Sequence, residues 1–366
     1  MRPIRNMILA LAALVSAACS GNLDDQASSL KISVDKTEIS ADGIEKVTFR
    51  VSYGPQDVSS SKDMNLTWEK DGMRKDMVAG TNSFSAIEAG TYLFHAQYKT
   101  AEGTVTSEKI GITAKAVDVK LSGYYRKMLA MEFTSIFCTY CPILAEAVEN
   151  IGKAYPGRII PVAFHCDNMG TDPFTLPLNG KFYEKVINFN DNSLPLFAFD
   201  MRKSSRDIIN EYAKIENEMK AQLEAYPAVC GVAVSNLYDS SSRKLEVEAK
   251  FKTDMTGEYR CHIFLVEDGI EYTQAGHEGS TPYVHENMVR AIASDNIYGS
   301  KLNKGSFLEP GTEYTYSKTF ILDEEWNEKN IRVVACMLRG DMDGNFHVNN
   351  SNECSIAASA GYLYEE

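Results

Sequence analysis

The spacing of apolar and polar positions changes character twice along the chain. From Leu30 to Lys115, short stretches alternate at a period of two: Leu30-Lys31-Ile32-Ser33-Val34, Lys46-Val47-Thr48-Phe49-Arg50-Val51 and Tyr92-Leu93-Phe94-His95-Ala96. Turn residues separate them, which is the pattern of half-buried antiparallel strands. Residues 116–226 read differently. An apolar run from Lys127 to Phe133 predicts a buried strand. Ile143, Leu144, Ala147, Val148 and Ile151 then fall at helical spacing, and Gly157 closes that stretch. Ile159 to Phe164 predicts a second buried strand, so the segment is a β-α-β unit with parallel strands and a right-handed crossover. A short helix is expected near Lys181 to Phe189, then a strand from Ser193 to Phe199 that opens on Pro195. A long amphipathic helix follows from about Ser204 to Tyr226, with Ile208, Tyr212, Ile215, Met219 and Leu223 on one face. Residues 227–366 return to β patterning, with strands expected at Val229–Leu237, Lys244–Phe251, Tyr259–Val266, Tyr314–Ile321, Ile331–Leu338 and Phe346–Asn349. Asp343-Gly344 predicts a hairpin turn before the last of these. The interval 268–310 is polar and glycine-rich, and reads as a large loop or as a loop with a short helix near Glu286–Ala293.

At 366 residues the chain is too long for one ordinary core. Its 44% hydrophobic and 24% charged residues fit folded domains rather than disorder. The net charge of −13 argues against nucleic acid and against electrostatic docking on anionic lipid.

The N-terminus carries a targeting signal. Arg2 and Arg5 precede a short apolar stretch, Met7 to Val15, that cannot span a bilayer. Ser16-Ala17-Ala18 before Cys19 resembles the bacterial lipoprotein processing site, with Ser16 in place of the usual Leu. The resemblance implies a signal peptide over residues 1–18, an acylated Cys19 that ties the chain to the lipid bilayer, and a tether over 19–29. An ordinary secretory signal is the alternative. Asp24-Asp25 after Cys19 also resembles the export signal of Bacteroidetes-type surface lipoproteins, which implies the outer membrane, facing outward.

Within residues 30–115, Trp68 and the segment Glu88-Ala89-Gly90-Thr91-Tyr92-Leu93-Phe94 resemble the core tryptophan and tyrosine corner of an immunoglobulin-like sandwich. Phe94 stands where an antibody domain would place a cysteine, so apolar packing must replace that disulfide.

Eight cysteines less Cys19 leave seven: Cys138, Cys141, Cys166, Cys230, Cys261, Cys336 and Cys354. An odd number cannot all pair within one chain. Cys230, Cys261 and Cys336 lie in β-like apolar runs and read as buried hydrophobes. Cys138-Thr139-Tyr140-Cys141, at a strand-to-helix junction, is open to three uses: half a zinc site, a structural disulfide or a redox pair. Glu132, six residues before Cys138 on the preceding strand, would sit buried beneath the second cysteine. Burial would raise its pKa toward that of a general base near neutrality. Pro195 opens a later strand, where a cis-proline could cap the dithiol. Residues 127–199 therefore resemble the thioredoxin superfamily. The resemblance implies Cys138 as nucleophile nearer solvent, Cys141 as resolving thiol, Glu132 as the buried acid and Pro195 as the cis-proline. Thr139-Tyr140 in place of Gly-Pro, Pro142 after the dithiol and an insertion before Pro195 depart from it.

A narrower resemblance is to the Omp-twenty-eight-related outer membrane lipoproteins. It is carried by Met131-Glu132-Phe133-Thr134, Cys138-x-x-Cys141-Pro142, His285 with Arg290, and Trp326 before Ile331-Arg332-Val333-Val334-Ala335, over about residues 120–350. Zinc on Cys138, Cys141, His165 and Cys166 is disfavoured because the last two are adjacent on a strand end. His277-Glu278 and His285-Glu286 lack the spacing of a helix-borne metal site. Asp341-Met342-Asp343-Gly344-Asn345 lacks the later Glu of a calcium loop. No phosphate loop, dinucleotide fingerprint or serine elbow occurs, and no cofactor or metal is expected. The expected architecture is multidomain, β plus α/β: an immunoglobulin-like β-sandwich (30–115), a thioredoxin-like α/β domain (116–226) and a C-terminal β-sandwich (227–366). The expected function is thiol–disulfide exchange with envelope or surface proteins. The alternative is a non-enzymatic binding or assembly module that keeps the fold, with a structural disulfide.

Overall fold

The computed structural model describes residues 29–42, 45–86, 88–117, 120–187, 192–204, 212–278, 281–341 and 344–365. Cys19, the signal peptide and the tether up to residue 28 lie outside the described residues, as do Ile208 and Asp343. The chain is mostly β and forms two compact units. One centres on Val47–Phe84 and Gly90–Thr113, the other on Ala114 to the C-terminus.

In the first unit, strand Val47–Tyr53 buries Val47, Phe49 and Val51 and exposes Thr48 and Arg50. It pairs antiparallel with Leu30–Val34, while Gly90–Thr100 pairs antiparallel with Met64–Lys70. Aromatic rings fill the centre. Phe94 lies 4.6 Å from Phe49 and 4.8 Å from Phe84, ring centre to ring centre, and Trp68 meets Tyr92 edge-on at 5.4 Å.

The strands of the second unit are numbered from its own start. β1 (Met128–Thr134) and β2 (Ile159–His165) run parallel, joined by α1 (Cys141–Ala154). Pro142 suits the first turn of α1, where no intrahelical N–H bond is lost. After α2 (Asn179–Val186) comes β3 (Leu196–Phe199), antiparallel to β1, and an α3 described over Tyr212–Ala225. The later strands are β4 (Cys230–Asp239), β5 (Lys244–Thr253), β6 (Tyr259–Glu267), β7 (Ile270–Tyr272), β8 (Tyr283–His285), β9 (Met288–Ile292), β10 (Ser300–Lys301), β11 (Tyr314–Ile321), β12 (Ile331–Gly340), β13 (Phe346–Ser355) and β14 (Ser359–Ala360).

One sheet has the order β3-β1-β2-β9-β6-β12-β13, with β10 also on β6, and a second has the order β11-β5-β4-β14. The expected division near residue 226 falls inside this unit. β2 continues into β9, where Ala163 N–H donates to Asn287 O at 2.6 Å. The physical reason is the edge of β2, which would otherwise present unpaired backbone groups. The interval read as a loop or short helix supplies that partner: Met288 and Val289 are buried in a strand.

Alternation then assigns every face. On β1, Leu129, Met131 and Phe133 pack into a core with α2, whereas Met128 and Ala130 pack against α1 and α3. On β6 and β12, Phe264, Val266, Val334, Cys336 and Leu338 join the α2 core. Cys261, Ile263, Leu265, Val333, Ala335 and Met337 face the core shared with β4 and β5. Val348 N–H donates to Asp200 O at 3.0 Å, so the last strand of the large sheet returns to the end of the first.

Candidate functional site

Period-two alternation puts Glu132 on the same face of β1 as Met128 and Ala130, the face covered by α1. It is 5% exposed, and no hydrogen bond reaches its carboxyl from the described residues. Burial alone pushes that carboxyl up to about 8. Cys141 opens α1, lines the same cavity as Glu132 and forms a disulfide with Cys138. Tyr140 occupies the N-cap without a side-chain cap bond, and no acid lies in the first turn. The positive end of the helix dipole is thus left to the sulfurs, where it favours a thiolate once the pair is reduced.

Cys138 is not nearer solvent, as the sequence had suggested: the two cysteines are 1% and 4% exposed. A segment far along the chain covers the loop that carries Cys138. Gln274 Nε2 donates to the carbonyls of Cys138 at 2.8 Å and Ser135 at 3.1 Å, and Ala275 N–H donates to Ile136 O at 2.8 Å. Gly276, at φ +82°, lies so close to Thr139 that a Cβ there would collide with the Thr139 carbonyl. Phe137 and Tyr140 remain exposed beside the covered pair.

The Leu194–Pro195 peptide is cis. Register pairs Leu196 with Phe133, which sets Pro195 opposite Thr134, at the sheet end where the dithiol loop begins. At the same end, His165 Nδ1 hydrogen-bonds Asp172 Oδ2 at 2.9 Å. Burial acts to raise the Asp172 carboxyl, but the bonds from His165 and from the Phe174 and Ile136 N–H groups outweigh it and hold the carboxyl low. The His285 ring lies 5.3 Å from that of His165, centre to centre, and its Nε2 is buried with no partner. Burial, then the neighbouring His165, lowers His285 to about 4, so it is neutral at pH 7. Glu132, Cys141, His165, Gln274, Tyr283 and His285 all line one cavity of about 780 Å³.

The remaining sequence candidates do not join this cluster. Cys166 is fully buried, its thiol is pushed up to about 12 by burial, and it donates to Phe164 O. Cys230, Cys261, Cys336 and Cys354 are buried with raised pKa values, mainly from desolvation. Arg290 pairs with Glu267 at 3.1 Å and lies 5.0 Å from the Trp326 ring, a packing role. Among the described residues, no group of three His, Cys, Asp or Glu side chains is arranged to hold a metal. Sequence reasoning missed Gln274, Asp172 and Tyr283. Asp172 had a faint signal, an acid seven residues after a histidine at the end of an apolar strand. Gln274 had none, because its partners lie 136 and 139 residues away.

Residues 186–356 match the family model of outer membrane protein Omp28. The matched stretch holds Pro195, Gln274 and His285 but stops short of Glu132, Cys138 and Cys141. No curated protein matches the chain. Among solved structures, HBP35 of Porphyromonas gingivalis superposes with a TM-score of 0.55 at 18% identity, over 68% of this chain and 80% of its own. Protein AGR_C_4864 of Agrobacterium tumefaciens gives a TM-score of 0.45 at 14% identity, over 66% of this chain and 96% of its own.

Proposed function

From a chain that matches the Omp28 outer membrane family over residues 186–356, we propose a lipid-anchored outer-membrane protein that exchanges thiols and disulfides with envelope or surface proteins. Acylated Cys19 is its anchor and the outer face its expected side. The central segment is read as thioredoxin-like. One juxtaposition carries the redox reading: the Cys138–Cys141 disulfide at the start of α1, the unpaired buried Glu132 lining one cavity with Cys141, and the cis Leu194–Pro195 peptide at the same sheet end.

The step is a two-electron exchange. A substrate thiolate attacks one sulfur of the Cys138–Cys141 bond and forms a mixed disulfide with it. The second substrate thiolate resolves that bond, leaving a substrate disulfide and a reduced Cys138–Cys141 pair that has taken up two protons. In the reverse direction Cys138 attacks a substrate disulfide and Cys141 resolves it. Glu132 exchanges a proton with Cys141 in either direction, since its raised pKa lies near that of a free thiol.

The burial of both cysteines favours a second reading, a non-enzymatic binding or assembly module stapled by a structural disulfide. Trapping separates the two. Under the redox reading, Cys141→Ser captures envelope proteins as mixed disulfides that reductant releases, and the wild type reduces insulin in the presence of dithiothreitol. Absence of both, with loss of folding on mild reduction, would establish the staple. Cys19→Ser, traced by membrane fractionation, tests the anchor separately: the variant should leave the membrane fraction.

A further inference from the structure

The cavity beside the disulfide has a chemistry that disulfide exchange does not use. Its inner wall carries two buried polar groups without partners. Glu132 is 5% exposed with no hydrogen bond among the described residues, and the Nε2 of His285, also 5% exposed, is unpaired. Buried polar groups are nearly always satisfied, so two orphans lining one cavity of about 780 Å³ call for a guest with polar hydrogens. His285 is neutral and so offers a lone pair at Nε2. Both orphans therefore accept from a donor-rich guest once Glu132 is ionised.

The rim sets the sign of the guest's charge. α1 contributes Glu146 and Glu149, the β6–β7 turn contributes Asp268, and Glu286 follows β8. Lys153, which lines the cavity, is already engaged with Glu149 at 2.6 Å, and the lining Asp268 pairs with Arg332 at 3.3 Å. Glu146, Glu286 and Glu132 are left as the uncompensated acids. The other titratable groups facing Glu132 are Tyr283, His165 with its Asp172 partner, and Cys141, which is tied up in the disulfide. An anionic guest would meet like charge at the mouth. A metal ion lacks its ligand set among the described residues.

We propose that this cavity binds a small organic cation, a primary ammonium or guanidinium group, free or at the end of a peptide side chain, with the positive group paired to the Glu132 carboxylate. Binding ionises Glu132 and releases its proton to solvent, so affinity rises with pH until the free carboxyl is itself ionised, at about 8. The sulfurs stay oxidised throughout. The proposal therefore stands or falls separately from disulfide exchange.

The test is isothermal titration of the oxidised full chain, in two buffers of different ionisation enthalpy. The probes are n-butylammonium, n-butylguanidinium and N-acetyl-lysine amide, with butyrate as the anionic control. At least one cation should bind, releasing up to one proton at neutral pH, and butyrate should not. Glu132→Gln keeps the shape and should weaken cation binding at least about tenfold, the scale of a lost charge-assisted bond. Glu146→Gln with Glu286→Gln, on the exposed rim, should weaken binding less and reduce its salt dependence. Tighter binding of the lysine amide than of butylammonium points to a peptide side chain, and the reverse to a free amine. The proposal is overturned if butyrate binds as well as the cations, if Glu132→Gln binds them as the wild type does, or if no cation binds at tens of millimolar.

Discussion

The side-chain amide of Gln274 donates to the backbone carbonyl of Cys138 at 2.8 Å, so a residue 136 positions downstream closes over the dithiol loop. A second bond from the same amide, to Ser135, fixes its orientation. The Cys138 side of the disulfide lies under this cover. Gln274→Ala should therefore speed reduction of Cys138–Cys141 by dithiothreitol by about fivefold to tenfold, the scale of one or two lost hydrogen bonds. Timed alkylation and mass analysis measure the rate. An unchanged rate would mean that this contact does not control access.

Gly276 tests the same cover by strain. Its φ of +82° and its closeness to the Thr139 carbonyl leave no room for a side chain. Gly276→Val should destabilise the segment locally by about 1–3 kcal/mol. Hydrogen exchange at the Ala275 amide should accelerate while the exchange of β1 and β2 stays as in the wild type. Equal acceleration across β1 would show that the cover and the sheet open together.

Glu132 gives stability a pH dependence of definite sign. Its folded pKa of about 8 lies above the ordinary carboxylate value, so the folded state holds a proton that the unfolded state loses first. Its contribution is most favourable below the unfolded pKa and is lost as pH rises toward about 8, by roughly 1 kcal/mol per pH unit. Urea unfolding between about pH 5 and about 8 should become flatter in Glu132→Gln than in the wild type. Parallel curves for the two proteins would falsify the assignment.

Arg126 and Asp200 form a buried ion pair at 2.5 Å. Asp200 Oδ1 also accepts from Leu129 N–H at 2.8 Å, and Arg126 donates to Gln222 O at 2.6 Å, so the pair links the β1 and α3 regions. Arg126→Met strands a buried carboxylate and should lower stability by about 3–5 kcal/mol. Adding Asp200→Asn removes the charge and should return part of that loss. A double variant no more stable than the single one would place the energy in the Arg126 backbone contacts instead.

Local patterns made part of this molecule legible. The apolar run 128–133 and the spacing of Leu144, Ala147, Val148 and Ile151 gave β1 and α1, because each needs only its own residues. Phe94 and Trp68 likewise lie in an aromatic cluster with neighbours that alternation had already turned inward. Long-range pairing was hidden. Nothing in Tyr283–Ile292 announces that it supplies a strand to the edge of β2, since the apolar pairs are split by His285-Glu286-Asn287 and Arg290 and each strand is short. The same holds at the site. Glu132 could be expected to be buried from the run around it, but the closing of Cys138 by Gln274 depends on a chain reversal that no local propensity encodes.

β6 and β12 each wall two cores at once, with Phe264 and Val334 turned one way and Ile263 and Val333 the other. A deletion that removed the chain beyond residue 226 would leave the first core open along the edge of β2, and an exchange of modules at that point would meet the same exposed seam. The dithiol segment and the strands beyond residue 226 therefore behave as one piece, since separating them opens a core that both complete. Among the described residues, a joint for domain shuffling lies near residue 114, where the chain passes from the first compact unit into the long stretch of the second.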